Sequence, residues 1–127
     1  MDARGWWIWG AVVLLASPAT AGNTPPEAGA ASSAVEERAR AAADAYEGAE
    51  QAFEAGLERL DAVYVWSVRL AESRRAAGDP EAMNAHLERM KGLYDRVAQR
   101  VERGTLRSTD AAAARFYMFE ARVWVER

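Results

Sequence analysis

Two glycines, each followed by a similar turn, constrain this chain more than any other feature. The stretch Glu102-Arg103-Gly104-Thr105-Leu106-Arg107-Ser108-Thr109-Asp110 has an earlier counterpart in Glu54-Ala55-Gly56-Leu57-Glu58-Arg59-Leu60-Asp61. Each reads as a helix that runs into glycine, a few turn residues, and a new helix opened by polar and acidic groups. Glycine enters the left-handed conformation that closes a helix C-terminus without a steric cost. Ser, Thr and Asp side chains accept hydrogen bonds from the free N–H groups at the start of the next helix. The rest of the chain reads as the arms of these two turns.

A chain of 127 residues has room for one domain. Ile8 is the only isoleucine, whereas Ala, Arg and Glu are abundant, a mixture that favours helix over sheet. The formal charge of −3 gives no basis for a nucleic-acid partner or a membrane-surface role. Cysteine is absent, which excludes disulfides, thiolate zinc sites, cysteine nucleophiles and a lipid-modified N-terminal cysteine.

Residues 1–21 have the layout of a secretory signal peptide. Arg4 and the free amine precede an apolar run from Trp6 to Ala16, and Ala19-Thr20-Ala21 fits the small-x-small cleavage rule. Cleavage after Ala21 is expected to leave a periplasmic or secreted chain with no membrane insertion of the mature part; the alternative is an uncleaved membrane anchor, whose interface Trp6, Trp7 and Trp9 would suit. Ser17-Pro18 interrupts the apolar run short of the ~20 residues a spanning helix needs. Residues 22–33, with Pro25-Pro26 and small side chains, read as a flexible linker.

The folded part is expected over 34–127. A first helix should open at Ser33, with Glu36 completing a capping box, and bury Val35, Ala39, Ala42, Tyr46, Ala49 and Phe53. A second helix, from Glu58 to Ala77, turns Leu60, Val63, Tyr64, Trp66, Ser67 and Leu70 inward. Gly78 ends it, and Asp79-Pro80 restarts the chain. The third helix repeats apolar residues at Met83, Leu87, Met90, Tyr94, Val97 and Val101. The fourth, from Ser108, is expected to bring Phe116, Tyr117, Phe119, Val123 and Trp124 to the core. Short connections make successive helices antiparallel, so the fold class is all-α: two tandem helical hairpins, 34–78 and 79–127, in an up-down-up-down four-helix bundle.

The offset of 48 residues that carries Gly56 onto Gly104 also carries Tyr46 onto Tyr94, Arg59 onto Arg107, Glu72 onto Glu120 and Arg74 onto Arg122. A doubled helical hairpin is a recognised repeat pattern. The order of tyrosine, glycine and acidic helix start over residues 34–124 resembles the duplicated hairpins of outer-membrane efflux proteins of the TolC type. Their periplasmic tips carry a glycine, an apolar residue, and an Asp six positions after the glycine. Gly104 and Asp110 match that spacing. Gly56 and Leu57 match in the first copy, where the acid is Asp61 and Ala62 holds the expected place. The resemblance implies a hairpin architecture and an envelope location. Such proteins also contribute strands to a membrane barrel, and no alternating strand pattern is present here, so a channel is not expected.

Gly56, Leu57, Asp61, Gly104, Leu106 and Asp110 are therefore the candidate contact residues at the tips. The plain alternative for the two leucines is that each folds back on the last helical turn. His86, the only histidine, is expected at the surface or the core rim, and no Glu-x-x-His pair accompanies it to build a metal site. An acidic stripe (Glu47, Glu50, Glu54, Glu58) and a basic one (Arg96, Arg100, Arg103, Arg107) end the first and third helices. Those helices would be diagonal in a simple bundle, so the acidic stripe is expected to meet arginines of another copy or a partner, or to face solvent. No nucleophile–base or metal constellation is present, and no catalytic residue, metal or cofactor is assigned. The expected role is non-enzymatic binding of an envelope protein, near an efflux or secretion assembly, or self-association. The alternative is a periplasmic bundle that senses or sequesters a small ligand in an apolar cavity between Trp66 and Trp124.

Overall fold

The computed structural model describes residues 26–127. The signal-like segment 1–21 and residues 22–25 of the expected linker lie outside the described residues. Four helices follow in order: α1 (Pro26–Glu54), α2 (Leu60–Ala76), α3 (Ala82–Glu102) and α4 (Ser108–Glu126). Among the described residues there is no strand. The compact unit Ala34–Arg127 is an up-down-up-down four-helix bundle of two antiparallel hairpins.

Helix α1 starts seven residues before the expected cap, so Ser33 is an internal helical residue and 26–33 is helical. The local reason is composition. Proline suits the first helical position, where its missing N–H has no partner to lose, and the alanines that follow have the highest helix propensity. Helix α2 begins at Leu60 rather than Glu58, because Arg59 is extended at φ −88° and ψ 157°. Helix α3 begins at Ala82, two residues after the expected proline, with the Asp79 carboxylate accepting the Glu81 N–H at 2.9 Å.

The three turns share one geometry. Gly56, Gly78 and Gly104 have φ of 75°, 95° and 79°. After each, a backbone N–H reaches back five residues: Leu57 to the Ala52 carbonyl at 2.8 Å, Asp79 to Arg74 at 3.0 Å, Thr105 to Arg100 at 2.9 Å. This is the Schellman closure, which satisfies carbonyls that the helix end would leave bare.

The core consists of Phe53, Leu60, Val63, Leu87, Met90, Leu93, Val97, Ala114 and Ala121. Helix α3 supplies four of these nine residues, and it does so because it touches all three other helices. Against α1, the Arg96 guanidinium reaches Glu50 and Glu54, each at 3.1 Å, and Arg100 donates to the Phe53 carbonyl at 3.3 Å. The acidic and basic stripes therefore meet inside the chain, and the expectation that α1 and α3 lie on a diagonal is corrected. Contacts between α2 and α4 run in the same sense, with Tyr64 stacked on Tyr117 at 3.9 Å between centroids. Each helix of the second hairpin thus lies beside its parallel counterpart in the first, as in stacked helical repeats.

Helix α4 departs most from expectation. Its buried residues are Ala114 and Ala121, which let it approach α3 closely, whereas Phe116, Phe119 and Val123 are exposed. Tyr117 and Trp124 are half-buried. The predicted seam of α1 holds, with Ala42 and Phe53 buried and Val35, Ala39, Tyr46 and Ala49 half-buried.

Candidate functional site

Both hairpin tips lie at one pole of the bundle and share one cleft. Its volume is about 590 Å³, and residues of the two tips line it together: Asp61 from the first, Gly104, Leu106 and Asp110 from the second. Leu60, Ala113 and Tyr117 add apolar surface, and Arg59 and Arg107 add cationic groups. Four of the six sequence-predicted tip residues thus come together, while Gly56 and Leu57 do not line the cleft.

The two leucines part company. Leu106 packs against the core, as the plain reading of a post-glycine residue expects. Leu57 does not fold back; it is 82% exposed, two residues before the cleft-lining Arg59. Its backbone is fixed by the bond to Ala52, so an apolar side chain is held out in water on a rigid turn.

The tips reach the same backbone with different acids. Arg59 and Arg107, each preceding its helix, have identical φ and ψ of −88° and 157°. At the second tip the Asp110 carboxylate accepts the Arg107 N–H at 3.0 Å. At the first, Ala62 stands in the Asp110 position, and Glu58 supplies the carboxylate to the Arg59 N–H at 2.8 Å. Asp61 is left to pair with the Arg59 side chain at 3.4 Å, and Asp110 lies 3.7 Å from the Arg107 guanidinium. Each rim cation therefore has a local carboxylate beside it. The arrangement can present hydrogen-bonding edges and a short apolar floor to another protein surface.

A second polar cluster lies inside the bundle. Contrary to expectation His86 is fully buried, on α3 and facing α2. Ser67 Oγ lies 2.7 Å from His86 Nδ1 and accepts the Arg89 Nε–H at 2.7 Å; Arg89 Nη2 donates to the Ser67 carbonyl at 3.0 Å. Arginine only donates, so the Ser67 hydroxyl, which already accepts from Arg89, gives its own proton to Nδ1. That choice puts the histidine proton on Nε2, which is buried without a partner. The ring stacks on Trp124 at 5.7 Å between centroids. Burial, with a smaller contribution from the Arg89 charge, lowers the His86 pKa to about 4. Ser67 has no solvent exposure, so the Ser–His contact has no route to a substrate in this conformation.

This cluster continues into a polar seam. Arg89 lies over the Tyr46 ring at 5.2 Å, and the Tyr46 hydroxyl donates to Glu50 at 2.6 Å, the carboxylate that Arg96 also holds. Burial and the bond to Glu50 raise the Tyr46 pKa, so the phenol keeps its proton. Sequence reading did not find this seam, because its members come from three helices with no common spacing.

Trp66 and Trp124 line separate clefts. Trp66 sits with Arg38, Ala41, Ala42, Arg69, Glu72 and Ser73, and Trp124 with Val68, Glu72, Arg75, Met83 and Arg127. Among the described residues no group of three or more His, Asp or Glu side chains is placed to hold a metal ion, and no helix is long and apolar enough to cross a membrane. Comparison with protein-family models, with curated proteins and with solved structures finds no match to this chain.

Proposed function

We propose that this chain is a non-enzymatic binding protein that docks another protein on the common pole of its two hairpins. The observation that carries this reading is the tip cleft: two turns of matching backbone geometry, held together, with Leu57 displayed beside them. Loop positions fixed by a rigid scaffold are where recognition residues are commonly found. An apolar side chain held at 82% exposure on such a turn is available to a partner's pocket.

The signal-like residues 1–21 and the resemblance to TolC-type hairpin tips support an envelope setting and an association with efflux or secretion machinery. The partner then approaches the pole end-on, with Leu57 as anchor and the Arg59 and Arg107 guanidinium groups giving hydrogen bonds at the rim.

The test is affinity capture from envelope extract with Leu57→Asp beside wild type. Leu57 buries almost nothing, so the variant keeps its helical circular dichroism and its melting temperature while it loses the captured protein. An identical capture profile for the two chains removes the reading. Leu106→Asp is the poorer probe, since that side chain packs on the core and its loss confuses folding with docking.

A further inference from the structure

We propose that the outer face of α4 is a second docking surface, distinct from the tips, and that its occupant is an amphipathic helix of another protein with carboxylates beside its apolar stripe.

The first argument comes from the repeat. The offset that superposes Gly56 on Gly104 places Ala112 on Tyr64, Phe116 on Val68, Phe119 on Ala71 and Val123 on Arg75. In the first hairpin this face meets the second: Tyr64 stacks on Tyr117 and its hydroxyl donates to Glu120, Val68 and Arg75 share a cleft with Trp124, and Ala71 is 1% exposed. In the second hairpin the same face is open, with Phe116 at 62% and Phe119 at 43% exposure. The next place in the stack has no occupant among the described residues. A face of a stacked helical repeat that meets water is ordinarily polar. Here that face carries two aromatic rings and a valine.

The second argument is shape. Ala112, Phe116, Phe119 and Val123 follow one another at four, three and four residues, a single stripe along about three turns of helix. That is the seam a second helix packs into, and α2 meets α4 on its equivalent stripe at Tyr64, which stacks on Tyr117.

The third argument is charge, and it selects the occupant. Arg115 and Arg122 flank the stripe on one side, and both guanidinium groups lie over the Phe119 ring, at 5.7 and 5.5 Å from its centroid. Neither forms an ion pair among the described residues. Two like charges held on one exposed ring present a cationic edge to whatever helix lies along the stripe, and carboxylates on that helix answer it. A second copy fits less well. Laid antiparallel on the same stripe, it sets Phe116 against Phe119 and Ala112 against Val123, but it also brings Arg115 of one copy to Arg122 of the other.

The experiment uses the full chain and two synthetic amphipathic peptides about three heptads long, with the same leucine seam and with either glutamate or lysine flanks. Fluorescence anisotropy of the labelled peptides gives the affinities. The glutamate peptide binds wild type more tightly than the lysine peptide. Arg115→Glu with Arg122→Glu weakens it by about tenfold or more and transfers the preference to the lysine peptide. Arg115→Gln with Arg122→Gln weakens the glutamate peptide without that transfer, and serves if the reversed chain folds poorly. Phe116→Ser weakens both peptides. Equal binding of the two peptides to wild type, or binding that charge reversal leaves unchanged, overturns the proposal. So does a wild-type dimer in sedimentation velocity that Phe116→Ser dissociates, since the face then belongs to a second copy. Leu57→Asp leaves these affinities unaltered, so failure here and failure at the tips are read separately.

Discussion

His86 sits with no solvent exposure between Ser67, Arg89 and Trp124, and its neutrality is a condition of the fold rather than an accident of pH. Its pKa in the folded chain is about 4, below the ordinary value of 6.5. The unfolded chain therefore binds a proton on this residue first as pH falls. Stability is full above about pH 6.5 and declines as pH drops toward 4, where this one group accounts for a loss of about 3 kcal/mol. Carboxylates titrate in part of the same window, so the useful quantity is a difference. Between pH 7 and pH 4.5, urea unfolding of wild type should lose more stability than that of His86→Leu. Parallel losses in the two chains would mean that the histidine is hydrated in the folded state. The signal for its placement is spacing, since His86 stands four, seven and eleven residues before the buried Met90, Leu93 and Val97, but Ser67 becomes its neighbour only through the α2–α3 packing.

At the scale of the elements, turn chemistry was the most legible part of the sequence. Gly56, Gly78 and Gly104 halt three helices in left-handed backbone, and Ser108 opens the fourth where the pattern put it. The acids at the tips were legible only by position. Asp61 looked like the displaced equivalent of Asp110, yet its work is done by Glu58, which lies before the helix rather than inside it. This separates two substitutions that look alike. Asp110→Ala removes the carboxylate from the Arg107 N–H and should cost about 0.5–2 kcal/mol, the usual range for a lost helix cap. Asp61→Ala removes only an exposed contact with Arg59 and should stay within about 0.5 kcal/mol of wild type. Chemical denaturation of the two variants side by side decides the assignment, and equal losses would return Asp61 to the capping role. The outward face of α4 was illegible for a related reason. Phe116, Phe119 and Val123 have the spacing of a core stripe, and periodicity does not say whether a stripe meets its own chain or another.

For the whole molecule, hairpin number and order follow from three glycines, but the way the hairpins lie together does not. Four antiparallel helices can close into a square, with like-directed helices on the diagonals, or stack so that like-directed helices touch. Arg96 on Glu50 and Glu54, and Tyr64 on Tyr117, place this bundle in the second arrangement. The consequence is thermodynamic. Met90, Leu93 and Val97 of α3 have no exposure, and they sit in one cluster with Phe53 of α1, Val63 of α2, and Ala114 and Ala121 of α4. Taking away the second hairpin strips that cluster of most of its members, so the first hairpin retains no core of its own, and the core of the second is opened where Phe53, Leu60 and Val63 close it. Unfolding should then be one cooperative transition, although the sequence is a duplication. Native-state hydrogen exchange tests this directly. Amides in the middle of α2, around Val63 and Leu70, should open with the same free energy as those around Met90 and Val97, and both should match the global value. Met90→Ala, expected to cost about 2–5 kcal/mol, should lower the two groups together. If α1 and α2 keep their protection while α3 and α4 lose theirs, the hairpins are separate folding units and the shared core has been misassigned.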